Sequence, residues 1–246
     1  MSGMGPLHGL VEPHAGLLSI PADGQPLFKV MSVGNLLRSI DGSYLYFNRV
    51  DSYGDSPISD PNDGEQLPSD FEGNDSAKFA KAPGFSAADY YARCRSRTYA
   101  CCFGMENNDH IWEYYGNGDE RGKVCVEFSF GKIRKMLNQA VASATGLLLE
   151  DGSMYPQVLD INYGMVTYVD WEDHRANEVH LPNPIVYSYL KDRRFGEENE
   201  LRVTLSASGA FAAYGFSDGR RVVFPSGLQL QFDFRKAMDG LAIVQI

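Results

Sequence analysis

Two tryptophans and 4 cysteines in 246 residues are the scarcest features of this chain. The cysteines, Cys94, Cys101, Cys102 and Cys125, show no paired Cys-x-x-Cys spacing, so neither a structural zinc site nor any other metal is expected. Apolar runs are short, and none approaches the roughly 18–20 residues that a membrane-spanning helix needs. The opening "MSGMGPLHGLVEPHAGLLSI" lacks a basic start followed by a continuous apolar stretch and does not read as a secretory signal. A cytoplasmic chain with reduced thiols and no membrane partner is the expectation. Positive charge is in deficit, with 22 Lys and Arg against 32 Asp and Glu, a net charge of −10. That balance argues against general nucleic-acid binding, which needs clustered cations for phosphate. The short basic stretches "RCRSR" (Arg93–Arg97), "KDRR" (Lys191–Arg194) and "GRR" (Gly219–Arg221) read as solvated surface. Phosphate-binding P-loops, Rossmann glycine patterns and Gly-x-Ser-x-Gly elbows are missing as well, which removes several common enzyme classes.

Aromatic residues, by contrast, are plentiful: 14 Tyr and 14 Phe favour a strand-rich architecture. Residues 1–25 are rich in Gly and Pro and read as a flexible N-terminal arm. "PLFKVMS" (Pro26–Ser32) reads as a strand, "VGNLLRSI" (Val33–Ile40) as a helix with Leu36, Leu37 and Ile40 on one side, and "GSYLYFNRV" as an alternating strand. From 51 to 85 the chain is full of Asp, Pro, Gly and Ser without apolar period, a long acidic loop of functional-lid or disordered type. Within it Asp55, Asp60, Asn62 and Asp63 have a calcium-loop composition but not its spacing, and turn formation explains them better. Ser86 then caps the helix "AADYYARCR". "TYACCFGM" is expected to be a central strand, and "NNDHIWEYYG" a short helix on which Trp112 and Tyr115 share a face. "KVCVEFSF" should turn Val124, Val126 and Phe128 inward. "GKIRKMLNQAVASA" carries an Ile133, Met136, Leu137, Ala140, Val141 stripe. "PIVYSYLKD" reads as helical, and "NELRVTLSAS", "RRVVFPSGLQLQFDF" and "GLAIVQI" as further strands. Residues 26–246 thus form one α+β domain, a mainly antiparallel sheet with flanking helices. His110, His174 and His180 show no partner set for a metal or a catalytic triad.

The segment "EENELR" (Glu197–Arg202) raises the functional question. In an extended chain Glu198 and Glu200 point to one side. Two carboxylates on one face lift each other's pKa, so the pair is either well solvated at a strand entry or held for chemistry.

The stretch "CFGMENNDHIWEYYGNGDERGKVCVEF" resembles a bacterial protein family of undefined activity, through Cys102, Phe103, Asn108, Trp112, Tyr115, Gly122, Cys125 and Phe128. The resemblance continues in "LFKVMS", "LYFNRV", "DSPISDP", "VTYVD" and "EENELR" and so spans most of residues 27–205, departing in the longer acidic insert after Asp60. A more distant likeness is to ADP-ribosyltransferases. These enzymes split NAD in a small antiparallel fold with His or Arg on the first strand, a hydroxyl residue on a second and a Glu, often in Glu-x-Glu, near a later one. This chain offers Lys29, where His or Arg is usual, and Ser32 on its first strand, several aromatics in its middle, and Glu198-Asn199-Glu200 near the end.

That likeness implies NAD as substrate and a protein or nucleic-acid acceptor, in a bacterial effector of toxin or phage-defence type. Glu200 would stabilise the oxocarbenium-like ribose and Glu198 would orient the acceptor. Lys29, with Ser32 and Arg202 nearby, would hold the dinucleotide, while Tyr115 or Trp112 stacks on a ring. The competing reading is a non-catalytic sensor or partner-binding module that uses the 51–85 loop as its contact surface. A nuclease is disfavoured because the acidic cluster lacks a metal-binding arrangement.

Overall fold

Alternation of apolar and polar residues builds the central strands, and their pairing decides where the two faces go. The computed structural model describes residues 8–55, 60–144, 146–148, 152, 154–155, 157–173, 183–207 and 224–244. Its main sheet has nine strands: β1 (Leu10–Val11), β2 (Pro26–Ser32), β3 (Tyr44–Arg49), β4 (Thr98–Gly104), β5 (Lys123–Ser129), β6 (Leu159–Met165), β7 (Glu200–Ala207), β8 (Gly227–Gln231) and β9 (Gly240–Val244). The spatial order is β1-β6-β7-β4-β2-β5-β9, with β3 also on β4 and β8 on β3. Only β1 with β6 is parallel; the other pairings are antiparallel, as expected for an α+β domain.

Odd positions of β4 and β7 (Tyr99, Cys101, Phe103; Leu201, Val203, Leu205) point into the principal core. Val124, Val126 and Phe128 of β5 join them, as the period-two reading requires. The core is closed by α5 (Phe130–Ser143), which buries Ile133, Leu137 and Val141 completely and Met136 and Ala140 in part. Each such aliphatic or aromatic side chain contributes roughly 1.5–3 kcal/mol by leaving water. Of the expected stripe on α1 (Val33–Gly42), Leu36 is buried and Ile40 packs on the core, but Leu37 is exposed. One residue along a helix is a turn of about 100°, which carries Leu37 off that face.

Even positions of β7 tell a different story. Glu200, Arg202 and Thr204 are all buried, on the face opposite the principal core. A second apolar cluster of Leu67, Ala87, Tyr91, Val169, Trp171, Tyr187 and Leu190 forms beside α2 (Pro68–Ser76) and α3 (Ala87–Arg95). The chain between 51 and 85, expected as an irregular loop, therefore contains structure: a 3-10 turn at Val50–Asp55, α2, and a small hairpin of Lys78–Phe79 with Ala82–Ser86. The apolar period is missing there because α2 buries only Asn74. Ser86 is the N-cap read from the sequence, and the structure adds that Asp89 completes a capping box with it.

The expected loose arm contributes an edge strand, β1, and residues 8–25 are tied down by Glu12, whose carboxylate accepts from Arg134 Nε at 2.7 Å and Asn138 Nδ2 at 2.7 Å. "PIVYSYLKD" is a 3-10 helix (Pro184–Tyr189) followed by a strand, Leu190–Asp192, parallel to Thr167–Val169, and not one helix. Gly219–Arg221, His174, His180 and the start of the "RRVVF" strand lie outside the described residues.

Candidate active site

The sheet forks at β4. Ala100 and Tyr99 pair with β3, while Gly104 pairs with Phe28 of β2. Between these points β2 and β3 diverge, and side chains satisfy the β4 backbone instead: Tyr53 Oη donates to the Ala100 carbonyl at 3.1 Å and Lys29 Nζ to the Cys102 carbonyl at 3.1 Å. The fork leaves a cavity of about 180 Å³, walled by Phe28, Tyr46, Tyr53, Phe103 and Tyr115 and floored by charged groups.

Those charges come from three distant segments. Asp192 caps a 3-10 helix, Arg193–Glu198, by accepting from Arg194 N at 2.9 Å. Asn199 ends it in the left-handed region at φ 40°, a conformation Asn tolerates better than most residues. Glu198 and Glu200 are thus separated by a turn and not by extended chain, yet both reach Lys191. The ladder runs Asp63, Arg202, Glu200, Lys191, Glu198, Tyr115. Arg202 grips Asp63 through both terminal nitrogens, with Nη2 to Oδ2 at 3.0 Å, and gives Nε to Glu200 Oε1 at 2.7 Å. Its Nη1 also donates to the Ser188 carbonyl at 2.8 Å. Lys191 Nζ contacts Glu198 Oε2 and, at 3.3 Å, Glu200 Oε2. Tyr115 Oη donates to Glu198 Oε1 at 3.0 Å. The Glu200 amide is held in turn by Tyr168 Oη, which accepts from it at 3.0 Å.

Exposure decides between the two readings of the acidic pair: Glu198 and Glu200 are each 4% exposed, Lys191 5%, Asp63 3% and Arg202 0%. A solvated strand entry is ruled out. The two glutamates also titrate apart. Burial, with the nearby Glu200 charge, pushes Glu198 up to about 7 despite Lys191. Burial alone would raise Glu200 too, but the Arg202 and Lys191 charges overcome it and hold that carboxyl well below the usual range. Burial likewise raises Asp63 against the pull of Arg202, and raises the Tyr115 hydroxyl, helped by Glu198. Glu198 is therefore the group that exchanges a proton near neutrality, and Glu200 a fixed anion whose oxygens are both engaged.

Of the residues picked from the sequence, Lys29, Tyr115, Glu198, Glu200 and Arg202 meet at this cavity. Ser32 and Trp112 are placed elsewhere. Ser32 is the N-cap of α1, accepting from Asn35 N at 3.1 Å. Trp112 packs on Val30, Ile111 and Cys125 and gives Nε1 to Asn107 Oδ1 at 2.7 Å. Trp112 and Tyr115 do not share a face because helix α4 (Asp109–Tyr114) ends before Tyr115, which is extended at φ −105°, ψ 158°. His110, without a partner set in the sequence, pairs with the exposed Glu197 at 3.3 Å.

Lys191, Asp63 and Tyr53 belong to the site, although the sequence reading did not single them out for it. Lys191 sat in a stretch read as solvated; the strand Leu190–Asp192 turns it inward. Asp63 sat among turn formers. Its neighbour Asp60 fits that role, accepting from Asn62 N at 2.9 Å, but Asp63 turns into the ladder. Arg95, also read as surface, fastens this segment by donating to the Asp63 carbonyl at 2.7 Å and the Pro61 carbonyl at 3.1 Å. For Lys191 the signal is its place seven residues before Glu198, within reach of the acidic pair. Among the described residues no group of three or more His, Cys, Asp or Glu is arranged to hold a metal ion, and no helix is long and apolar enough to cross a membrane. Comparison of the chain with family models, curated proteins and solved structures gives no match, so the resemblances rest on their motif residues alone.

Proposed function

We propose that this chain is an ADP-ribosyltransferase-like enzyme that binds NAD at the fork and passes its ADP-ribose to a protein or nucleic-acid acceptor. The observation that carries the reading is convergence: Lys29, Tyr115, Glu198 and Glu200, from three distant stretches of the chain, share one aromatic-walled cavity. At about 180 Å³ the cavity suits the nicotinamide–ribose end of a dinucleotide, since pockets for whole drug-sized ligands run to roughly 300–1,000 Å³. In the reaction the ribose C1′–nitrogen bond breaks and its electron pair returns to the pyridinium nitrogen, which leaves neutral. The positive charge that develops on the ribose is favoured by the ionised Glu198 and the fixed Glu200 anion. The acceptor oxygen or nitrogen then bonds to C1′, and its proton passes to Glu198. Half-buried Lys29, whose Nζ lies at the cavity on the Cys102 carbonyl, would meet the diphosphate as a point charge.

The test is incubation with NAD while free nicotinamide is measured. Turnover that rises through about pH 7 and falls at least about 100-fold in Glu198→Gln is expected for a general base with that pKa. A wild-type protein that neither binds NAD nor releases nicotinamide, across a panel of protein and nucleic-acid acceptors, removes the reading.

One observation favours the alternative of a partner-binding module. Phe71, Phe79 and Tyr90 are exposed on the α2–α3 unit, and the Phe79 ring lies 5.5 Å from Phe85 and 6.4 Å from Tyr90. That reading predicts no change in thermal stability on adding NAD and loss of a partner when the Phe79 hairpin is deleted.

A further inference from the structure

The buried ladder alternates in sign. Asp63, Arg202, Glu200 and Lys191 cancel to zero, and Glu198 at the cavity end is the fifth member. Ionising Glu198 therefore leaves the buried group one negative charge in excess, while protonating it leaves the group neutral. We propose that Asp63, which the acidic insert contributes to the far end of this ladder, is a positioning residue that sets the protonation state of Glu198 through Arg202, Glu200 and Lys191. This role rests on Glu198 being the acid–base group of the proposed transfer, but the charge linkage itself does not.

The geometry supports it on three counts. Asp63 meets Arg202 with both carboxylate oxygens, so its charge is committed to that guanidinium. Arg202 shares its remaining edge with Glu200, and Glu200 shares Lys191 with Glu198, so a charge removed at one end is felt at the other through groups that water does not screen. The backbone of Asp63 is fixed independently, by Arg95 on its carbonyl and by the Asp60 carbonyl, which accepts from Asp63 N at 3.2 Å.

Other groups facing Glu198 leave this balance intact. Lys29 and Asp60, both at the cavity, carry opposite charges, and Arg194, 4.0 Å from Asp60, has its side chain 58% exposed and is screened by water. Burial keeps Tyr53, Tyr115, Tyr168 and Cys102 protonated at neutral pH. His110 faces Glu197, outside the ladder.

The experiment follows the Glu198 carboxyl by carbon-13 NMR against pH in glutamate-labelled protein without nucleotide, with the signal assigned through Glu198→Gln. In Asp63→Asn the midpoint should fall by about one pH unit, the effect of a single charge acting at a remove. In the double variant Asp63→Asn/Arg202→Gln, which restores neutrality with an uncharged hydrogen-bonded pair, it should return to the wild-type value. An unmoved midpoint in Asp63→Asn, or a double variant that titrates like the single one, overturns the proposal. Should Asp63→Asn not fold, Arg202→Gln serves as the reference: its midpoint should rise, and adding Asp63→Asn should lower it, so equal midpoints in those two overturn the linkage. The acid limb of nicotinamide release should move with the NMR midpoint. A protein without NAD turnover sinks the transferase reading, whereas the titration decides the role of Asp63 by itself.

Discussion

Replacing Glu198 by Gln should make the protein more resistant to alkaline conditions, by an amount the site itself sets. The folded state holds the Glu198 proton up to about pH 7, whereas an unfolded glutamate releases it near 4.5. Between those values the native state binds the extra proton, so stability from this group is fully present below about 4.5 and is lost as pH rises through 7. The loss between about pH 5 and pH 8.5 comes to about 2.5 kcal/mol, at 1.36 kcal/mol per pH unit of difference. Gln resembles the protonated form and does not titrate. Its imperfect hydrogen bond to Lys191 costs about 1–2 kcal/mol at every pH and cancels when the two pH values are compared. The neighbours do not obscure the window. Glu200 is shifted down, so its contribution fades only as pH falls below the ordinary glutamate range, and Tyr115 is shifted up, above it. Urea unfolding of both proteins at the two pH values is the assay, with the variant gaining about 2–3 kcal/mol on the wild type between them. A difference between the proteins that is the same at both values refutes the assigned charge states.

Two further outcomes follow from the same geometry. Arg202→Met should lower stability by about 3–5 kcal/mol, because it leaves Asp63 and Glu200 as buried carboxylates without their shared cation; a shift in denaturant midpoint worth less than about 1 kcal/mol places the ladder in water after all. Lys29→Met should cost about 1–2 kcal/mol of stability, for its bond to the Cys102 carbonyl and its contact with the Phe103 ring, while raising KM for NAD about tenfold with kcat little changed. An unaltered KM in that variant removes Lys29 from the diphosphate.

Much of the architecture is written in local pattern. Alternation in "KVCVEFSF", the stripe of "GKIRKMLNQAVASA" and the Ser86 cap each depend on residues a few positions apart, and each element forms where its pattern lies. The same locality made "EENELR" visible as an unusual acidic pair, whereas Lys29 and Tyr115 entered through the motif resemblances. What the chain could not disclose by itself was burial. Lys191 and Asp63 lie in polar stretches with the composition of surface and turn, and they are buried only because Arg202, pointing from the roofed face of β7, needs anions and Glu198 needs a cation. Trp112 and Tyr115 look alike at helical spacing, but the helix stops between them and sends one to an apolar cluster and the other to the cavity. Charge state depends on desolvation and on partners more than a hundred residues away in sequence, as Asp63 is from Arg202, so only the folded chain could divide two neighbouring glutamates into a fixed anion and a proton carrier.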